Sequence, residues 1–166
     1  VKYEASYDKD RFNAEQIRLN SHTGTHLDAP FHFFPDGQTV DQLDVSLFQG
    51  TAVIVDLRSV IHPKEGITVA HLAPYADRIG KDSIVLFATG WGPKRSFDQE
   101  YQYDWPYLTG EAAQWLRDKG IKGVGIDAMS MGGWYEGTGR PCHEALLSAG
   151  IWILEEIRIP DELTER

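Results

Sequence analysis

The amino-acid sequence predicts an α/β fold, in which helices flank a central sheet, and three observations support this prediction. Four short and nearly uninterrupted apolar runs are typical of strands buried within a sheet. Helical patterns with capping signals lie between these runs. No linker, repeat or low-complexity tract divides the 166 residues, and this length suits one domain, so we expect a single domain over 1–166.

The first half of the pattern is a strand, a helix and a second strand. Residues 51–57 read TAVIVDL and residues 83–89 read SIVLFAT, and these are the first two predicted strands. Between them the pattern predicts a helix over 69–79, with Thr68 as its N-cap. Pro74 lacks an amide hydrogen, so we expect it to shorten or kink this helix.

Residues 90–108 form a long connection that is rich in aromatic residues and shows no periodicity. A connection of this length inside a compact domain is more often functional than idle. Two interpretations stay open. The segment forms a wall of a binding pocket, to which Trp91 would contribute, or it is an aromatic plug over one end of the core.

The second half of the pattern adds two helices and two strands. A helix is predicted over 111–119, between the N-cap Thr109 and the stop signal Gly120. The remaining strands, 123–127 and 151–155, are joined by a short helix over 143–148 that ends at Gly150.

The charge balance and the single cysteine exclude several classes of protein. Lys and Arg number 16 against 25 Asp and Glu, for a net charge of −9, which argues against nucleic acid as a partner, since phosphate recognition needs clustered cations. No stretch approaches the roughly 20 apolar residues of a membrane span, and no signal-peptide pattern opens the sequence. Cys142 has no partner for an internal disulfide. We therefore expect a cytoplasmic protein that binds neither nucleic acid nor membranes.

The run SHTGTHLDAPFH at 21–32 is the strongest chemical signal in the sequence. His22, His26, Asp28 and His32 all occupy even positions, so an extended backbone would direct their side chains to one face. Imidazole and carboxylate groups are ligands for zinc, manganese and similar divalent ions. Pro30 interrupts the run, so His32 is expected around a corner, near the metal without binding it.

Two further residues are candidates for the other half of such a site. Glu155 ends the apolar strand on its buried face, where a carboxylate is costly unless it is paired or bound to a cation. Its neighbour Glu156 has the opposite parity and is expected to face solvent. His143 starts the helix that leads into this strand, and the helix–turn–strand unit can return it close to Glu155.

These residues carry a resemblance to a known family. The string His22-x-Gly24-Thr25-His26-x-Asp28-x-Pro30-x-His32 closely resembles the signature of the cyclase family of metal-dependent hydrolases, which includes bacterial kynurenine formamidases (arylformamidases) and isatin hydrolases. The resemblance extends to Thr89-Gly90-Trp91, Gly125-Ile126-Asp127, Ser130, His143 and Leu154-Glu155.

The resemblance implies a role for each candidate residue. The positions of His22, His26 and Asp28 bind one metal ion, and Asp28 bridges to a second ion held by His143. Glu155 contacts both ions, and His32 is the proton acceptor. The implied fold is a β/β/α swivelling-type domain with a mixed sheet, which assembles as a homodimer or a larger homo-oligomer. Zinc is the first expectation for the one or two ions, and manganese is an alternative.

The implied activity is hydrolysis of an amide C–N bond in a small aromatic substrate, with an N-formyl arylamine such as N-formylkynurenine as the first expectation. Phe33, Trp91 and Ser130 are the candidates for contacting this substrate. Opening of a cyclic amide, as in isatin hydrolases, is an alternative. A metal-dependent binding module without turnover is another.

Two departures from the family pattern concern substrate recognition. Family members usually begin with a further segment that contains a substrate-contacting tryptophan in kynurenine formamidases, whereas only 21 residues precede His22. We therefore expect this chain to lack the usual N-terminal segment. Met131-Gly132-Gly133 follows Ser130 where the family often has an acidic residue, so the kynurenine specificity is less firmly implied than hydrolysis itself.

Overall fold

A five-stranded mixed sheet forms the centre of the fold, in a computed structural model that describes residues 2–164. Four strands run parallel, and the fifth pairs antiparallel with its neighbour at one edge. The predicted α/β fold with a central mixed sheet is confirmed. In spatial order the strands are β3 (His26–Asp28), β9 (Trp152–Glu155), β8 (Gly123–Ile126), β6 (Ile84–Ala88) and β4 (Ala52–Asp56).

Two small sheets lie outside this central sheet. The first is an antiparallel hairpin at the start of the chain, and the second is a short parallel pair. The hairpin strands are β1 (Lys2–Ala5) and β2 (Ala14–Gln16), and the parallel pair is β5 (Gly66–Ile67) and β7 (Tyr107–Leu108).

Five α-helices connect the strands within the part of the chain that the structure describes, and the helix over Gly110–Asp118 follows its predicted capping signals. The Thr109 hydroxyl accepts a hydrogen bond from the amide of Ala112 at 3.2 Å, and Gly120 takes a left-handed conformation just past the helix end. No helix within residues 2–164 is long and apolar enough to cross a membrane. The helices are α1 (Tyr7–Asp10), α2 (Val69–Leu72), α3 (Gln99–Tyr103), α4 (Gly110–Asp118) and α5 (Arg140–Leu147).

The helix predicted over 69–79 is short, as Pro74 requires. Helix α2 ends at Leu72 and continues as a 3₁₀ turn over Ala73–Tyr75, because proline cannot donate the next helical hydrogen bond. Helix α5 begins at Arg140, three residues before the predicted start at 143. Pro141 fills its first turn, a position where the missing amide hydrogen costs nothing.

The core lies between the sheet and the pair of helices α4 and α5. Fully buried side chains from both layers meet there, among them Phe87, Leu116, Ile126, Leu146 and Ile153. This packing holds α5 against the strand β9 that follows it, and these two elements carry His143 and Glu155.

The aromatic connection 90–108 contributes to the core. Trp91, Tyr101 and Trp105 are all buried. The indole of Trp91 donates to the carbonyl of Tyr101 at 3.1 Å. Trp91 therefore packs in the core, with only 2% of its surface exposed, and its contact with substrate stays a prediction. Phe97 is exposed and lines a cavity described below.

Candidate metal centre

Strand β3 and the turn before it bring three of the predicted ligands together. His26 and Asp28 project from the same face of β3. His22 lies outside the strand, in the turn that precedes β3 and that includes Gly24 in a left-handed conformation. Nδ1 of His22 nevertheless lies 2.9 Å from Nε2 of His26 and 3.1 Å from Oδ1 of Asp28. The predicted extended backbone over 22–28 was wrong, but the predicted proximity is present.

The pairing of β3 with β9 adds Glu155 to this group. His26 and Glu155 are directly opposite in the antiparallel register, and Oε2 of Glu155 lies 3.3 Å from Nε2 of His26. Helix α5 presents His143, whose Nε2 lies 3.2 Å from Oε1 of Glu155. The structure thus joins residues that are more than a hundred positions apart in the sequence.

Two overlapping groups of ligand atoms result, and Asp28 belongs to both. Its Oδ1 faces His22 and His26, whereas its Oδ2 lies 3.8 Å from Nε2 of His32 and 3.9 Å from Nε2 of His143. Within each group the ligand atoms lie within 4.8 Å of one another. The groups are His22, His26, Asp28 and Glu155, and Asp28, His32 and His143.

One buried atom shows that this arrangement suits a cation. Among the residues that the structure describes, Oδ2 of Asp28 is buried without a hydrogen-bond partner. Asp28 as a whole is only 2% exposed, so water cannot supply the missing hydrogen bond freely. A buried carboxylate oxygen without a donor is costly. A divalent ion between the histidines would satisfy it, so the residues present fit a metal ion.

Backbone carbonyls orient two of the imidazoles. Nδ1 of His26 donates to the carbonyl of Gly24, and Nδ1 of His143 donates to the carbonyl of Gly139, both at 2.8 Å. These bonds direct Nε2 of each ring at the carboxylates, and a metal ion would take the place of the proton on that nitrogen.

Glu155 is held by two donors from the loop after β8. The hydroxyl of Ser130 and the amide of Met131 donate to Oε1 at 2.8 and 2.7 Å. The hydroxyl of Ser130 thus fixes a candidate ligand in place, and its predicted contact with substrate stays a prediction. These donors also favour the charged form of Glu155.

Phe33, the third candidate for substrate contact, packs on the back of the site. Its ring stacks on the imidazole of His143, with centroids 4.9 Å apart and planes inclined by 7°. The guanidinium carbon of Arg140 lies 5.9 Å from the Phe33 ring centroid. Phe33 therefore orients His143, in addition to any contact with substrate.

Burial and neighbouring charges shift the pKa values of the groups in the site. Burial raises the pKa of Asp28 to about 6, with a further contribution from the charge of Glu155. The hydrogen bond to Glu155 raises the pKa of His26 to about 9. Burial lowers the pKa of His32 to about 4, and the nearby His22 and His143 contribute in the same direction. Protons on the ligands therefore balance the carboxylates in the metal-free chain, and a cation would replace them.

Replacing Glu155 with glutamine is expected to weaken metal binding by more than the roughly 10–100-fold that loss of an outer-shell partner costs. The amide oxygen still accepts from Ser130 and Met131, so the fold is retained, but the negative charge is lost. Elemental analysis after dialysis at fixed free metal measures the effect. Glu156→Gln is the matched control, since Glu156 is an adjacent buried carboxylate outside both ligand groups. This variant should retain its metal. A shifted melting temperature with unchanged metal content in Glu155→Gln would contradict a ligand role.

The structure corrects the prediction for Glu156. This residue is only 6% exposed, because the chain leaves β9 in a left-handed conformation with φ at 52° and the strand parity ends there. Its carboxylate accepts a hydrogen bond from the hydroxyl of Tyr101 at 3.0 Å and lies 3.6 Å from Nη2 of Arg95. Sequence spacing carries no signal for these contacts, since the partners lie 55 and 61 residues upstream.

Two cavities open beside the cluster, and both are lined by His22. One, of about 420 Å³, is also lined by Asp28, His32 and the exposed Phe31. The other, of about 470 Å³, extends from His22 to Arg95 and Phe97. Both volumes lie within the range of small-molecule sites.

Comparisons with known proteins agree with this geometry. The family model described as "Putative cyclase" matches residues 2–132. The kynurenine formamidase of Bacillus cereus is 32% identical over 160 residues, which covers 93% of this chain and 71% of that protein. The enzyme of the same name from Bacillus cytotoxicus is 32% identical over 158 residues, with the same coverage.

Solved structures give the same result. A potential metal-dependent hydrolase with cyclase activity superposes with a TM-score of 0.76 at 32% identity, covering 96% of this chain and 71% of that one. Isatin hydrolase A from Labrenzia aggregata superposes with a TM-score of 0.84 at 26% identity, covering 97% and 70%.

Proposed function

Because this chain belongs to the cyclase family, we propose that it cleaves the amide C–N bond of an N-formyl arylamine such as N-formylkynurenine. The chain is a metal-dependent hydrolase of C–N bonds other than peptide bonds. The main support for the proposed amide hydrolysis is the pair of carboxylates, Asp28 and Glu155. Each of them faces histidines of both ligand groups.

We assign the metal ligands from these contacts. His22, His26, Asp28 and Glu155 hold one divalent ion, and Asp28, Glu155 and His143 hold a second. Zinc suits the donor set best, and manganese is the alternative. When bound, such an ion supplies Lewis acidity to a carbonyl oxygen and lowers the pKa of water from 15.7 to about 7.

His32 is the proposed general base. Its pKa of about 4 keeps the imidazole neutral at pH 7, and its side chain is 32% exposed at the mouth of the cluster. A neutral imidazole there takes a proton from the attacking water and delivers it to the amide nitrogen as the C–N bond breaks. The products are formate and the free arylamine.

Opening of a cyclic aryl amide is the second candidate activity. The similarity to isatin hydrolase A favours it, and the same groups would break the same kind of bond. In that reaction the carboxylate product stays attached to the aryl ring. A binding module without turnover would have no use for a neutral imidazole beside the ligands, so His32 argues against it.

We also propose that the chain forms a homodimer or a larger homo-oligomer. The β1–β2 hairpin and the residues that follow it expose apolar side chains, with Tyr3 at 76%, Ile17 at 64% and Leu19 at 61% exposure. An isolated two-stranded hairpin is marginally stable in water, so a second copy that covers this face would stabilise it.

Metal analysis combined with a two-substrate assay tests the proposed function. The purified chain is expected to hold one or two divalent ions, and to hydrolyse N-formylkynurenine faster than isatin. A chelator should abolish this activity, and added zinc or manganese should restore it. Faster turnover of isatin would favour the second candidate. A metal-loaded chain that turns over neither compound would contradict the enzymatic proposal.

A further inference from the structure

The cavity between His22 and Arg95 has one feature that the proposed mechanism does not use. Its walls are largely apolar, with Phe97 and Met129 among the lining residues, and its volume of about 470 Å³ accommodates an aryl amide. Of the described residues that line the two cavities beside the cluster, Arg95 is the only lysine or arginine. Arg95 therefore lies in a largely apolar cavity that begins at a candidate metal ligand and that Glu156 also lines.

The guanidinium of Arg95 is held from one side. Nη2 donates to the backbone carbonyl of Glu156 at 2.8 Å, and Nε donates to the hydroxyl of Tyr101 at 3.4 Å. The same hydroxyl donates to Oε1 of Glu156 at 3.0 Å. Because Tyr101 and Glu156 are buried, this small network holds the guanidinium in place. Arg95 therefore loses little further conformational entropy when a ligand binds.

The backbone at Glu156 is what makes this support possible. Its left-handed conformation, with φ at 52°, is rare for a residue with a side chain. The conformation turns both the carbonyl and the carboxylate of Glu156 toward Arg95. The hydroxyl of Thr25, three residues before Asp28, donates to the same carbonyl at 2.7 Å. The support of Arg95 is thus connected directly to the β3 segment that carries the ligands.

Part of the guanidinium remains available to a ligand. Within residues 2–164, the hydrogen bonds of Arg95 use Nε and Nη2 only, and its side chain is 50% exposed. The edge that carries Nη1 can therefore donate to an anion. A guanidinium held in place by a carboxylate behind it is well suited to binding a carboxylate in front.

We infer that Arg95 is a specificity-determining residue that binds a carboxylate of the substrate, at the end opposite the amide that is cleaved. This inference rests on the proposed amide hydrolase function and narrows it to aryl amides with an acidic side chain. The amide carbonyl would lie at the histidine cluster and the aryl group along the apolar wall.

Kynurenine and kynuramine provide a matched pair for the test, since they differ only in the carboxylate. Binding of each to the metal-loaded protein is measured by calorimetry, and hydrolysis of the two N-formyl derivatives is measured in parallel. Arg95→Gln is expected to weaken kynurenine binding by about 10–100-fold, the range for a hydrogen bond to a charged group. It should also raise KM for N-formylkynurenine by a similar factor with little change in kcat. The affinity for kynuramine and the KM for N-formylkynuramine should each change by less than about 2-fold.

Two further variants separate recognition from a structural effect. Arg95→Lys keeps the charge without the planar donors and is expected to give an intermediate loss for kynurenine. Arg117→Gln removes the same charge from helix α4, outside both cavities, and should change neither ligand. Equal weakening of kynurenine and kynuramine by Arg95→Gln would overturn the inference, as would equal affinity of the unmodified protein for both. Failure to hydrolyse either N-formyl compound contradicts the proposed activity instead, while the binding data still decide the role of Arg95.

Discussion

Replacing His26 with alanine is expected to remove most of the bound metal and nearly all hydrolytic activity. His26 lies between the two carboxylates, with Nε2 3.6 Å from Oδ1 of Asp28 and 3.3 Å from Oε2 of Glu155. Its loss should reduce metal affinity by more than the roughly 10–100-fold typical of outer-shell partners. The two buried carboxylates would then face each other with less compensating charge, which raises the pKa of one of them and favours its protonated form over a metal-bound form.

Metal content per chain at fixed free metal, together with kcat/KM, measures this effect. His62→Ala is the matched control, since His62 is an exposed histidine outside both ligand groups. It should retain metal and activity. An unchanged metal content in His26→Ala would contradict the assignment of the site, whatever happened to activity.

Replacing His32 with alanine is expected to have the second largest effect, and a different one. Its Nε2 is 3.8 Å from Oδ2 of Asp28, too long for a hydrogen bond, and its ring lies at the exposed edge of the cluster. If His32 is the general base, kcat should fall by about 10²–10⁴-fold, while the metal content stays as in the unmodified chain. Added imidazole should restore part of the activity, because a diffusible base can occupy the space left by the side chain.

The geometry makes this variant decisive, because His32 also belongs to the second group of ligand atoms with Asp28 and His143. A drop in metal content in His32→Ala would show that His32 is a ligand and would contradict its role as the base. Full activity would contradict both roles. Metal analysis and kinetics are therefore needed on the same preparation.

The site lies where the antiparallel edge strand β3 meets the parallel part of the sheet. Backbone pairing there sets His26 opposite Glu155, and the helix before β9 brings His143 to the same place. Four of the proposed ligands, His26, Asp28, His143 and Glu155, come from strands and a helix whose positions are set by the core. The fifth, His22, comes from the turn before β3, and the proposed base His32 comes from the short 3₁₀ helix after it. Regular elements therefore position most of the proposed ligands, and the proposed base lies on an exposed corner.

Features that depend on neighbours along the chain could be predicted from the sequence. The four apolar runs predict the four parallel strands, since burial of both faces needs uninterrupted apolar residues. Pro74 shortens its helix for a reason contained in one residue. The cluster at 21–32 and the unexpected carboxylate of Glu155 identify candidate ligands, because their residue types are costly in a core without a cation.

The contacts between distant groups could not be predicted, because they depend on the packed fold. The register of β3 against β9 places His26 opposite Glu155, and no spacing in the sequence encodes that register. The left-handed residue Glu156 ends the strand parity and buries a carboxylate that was predicted to face solvent. Arg95 reaches this carboxylate across 61 positions of the chain. Such contacts depend on how strands pair and where the backbone leaves a strand, and these are properties of the packed fold.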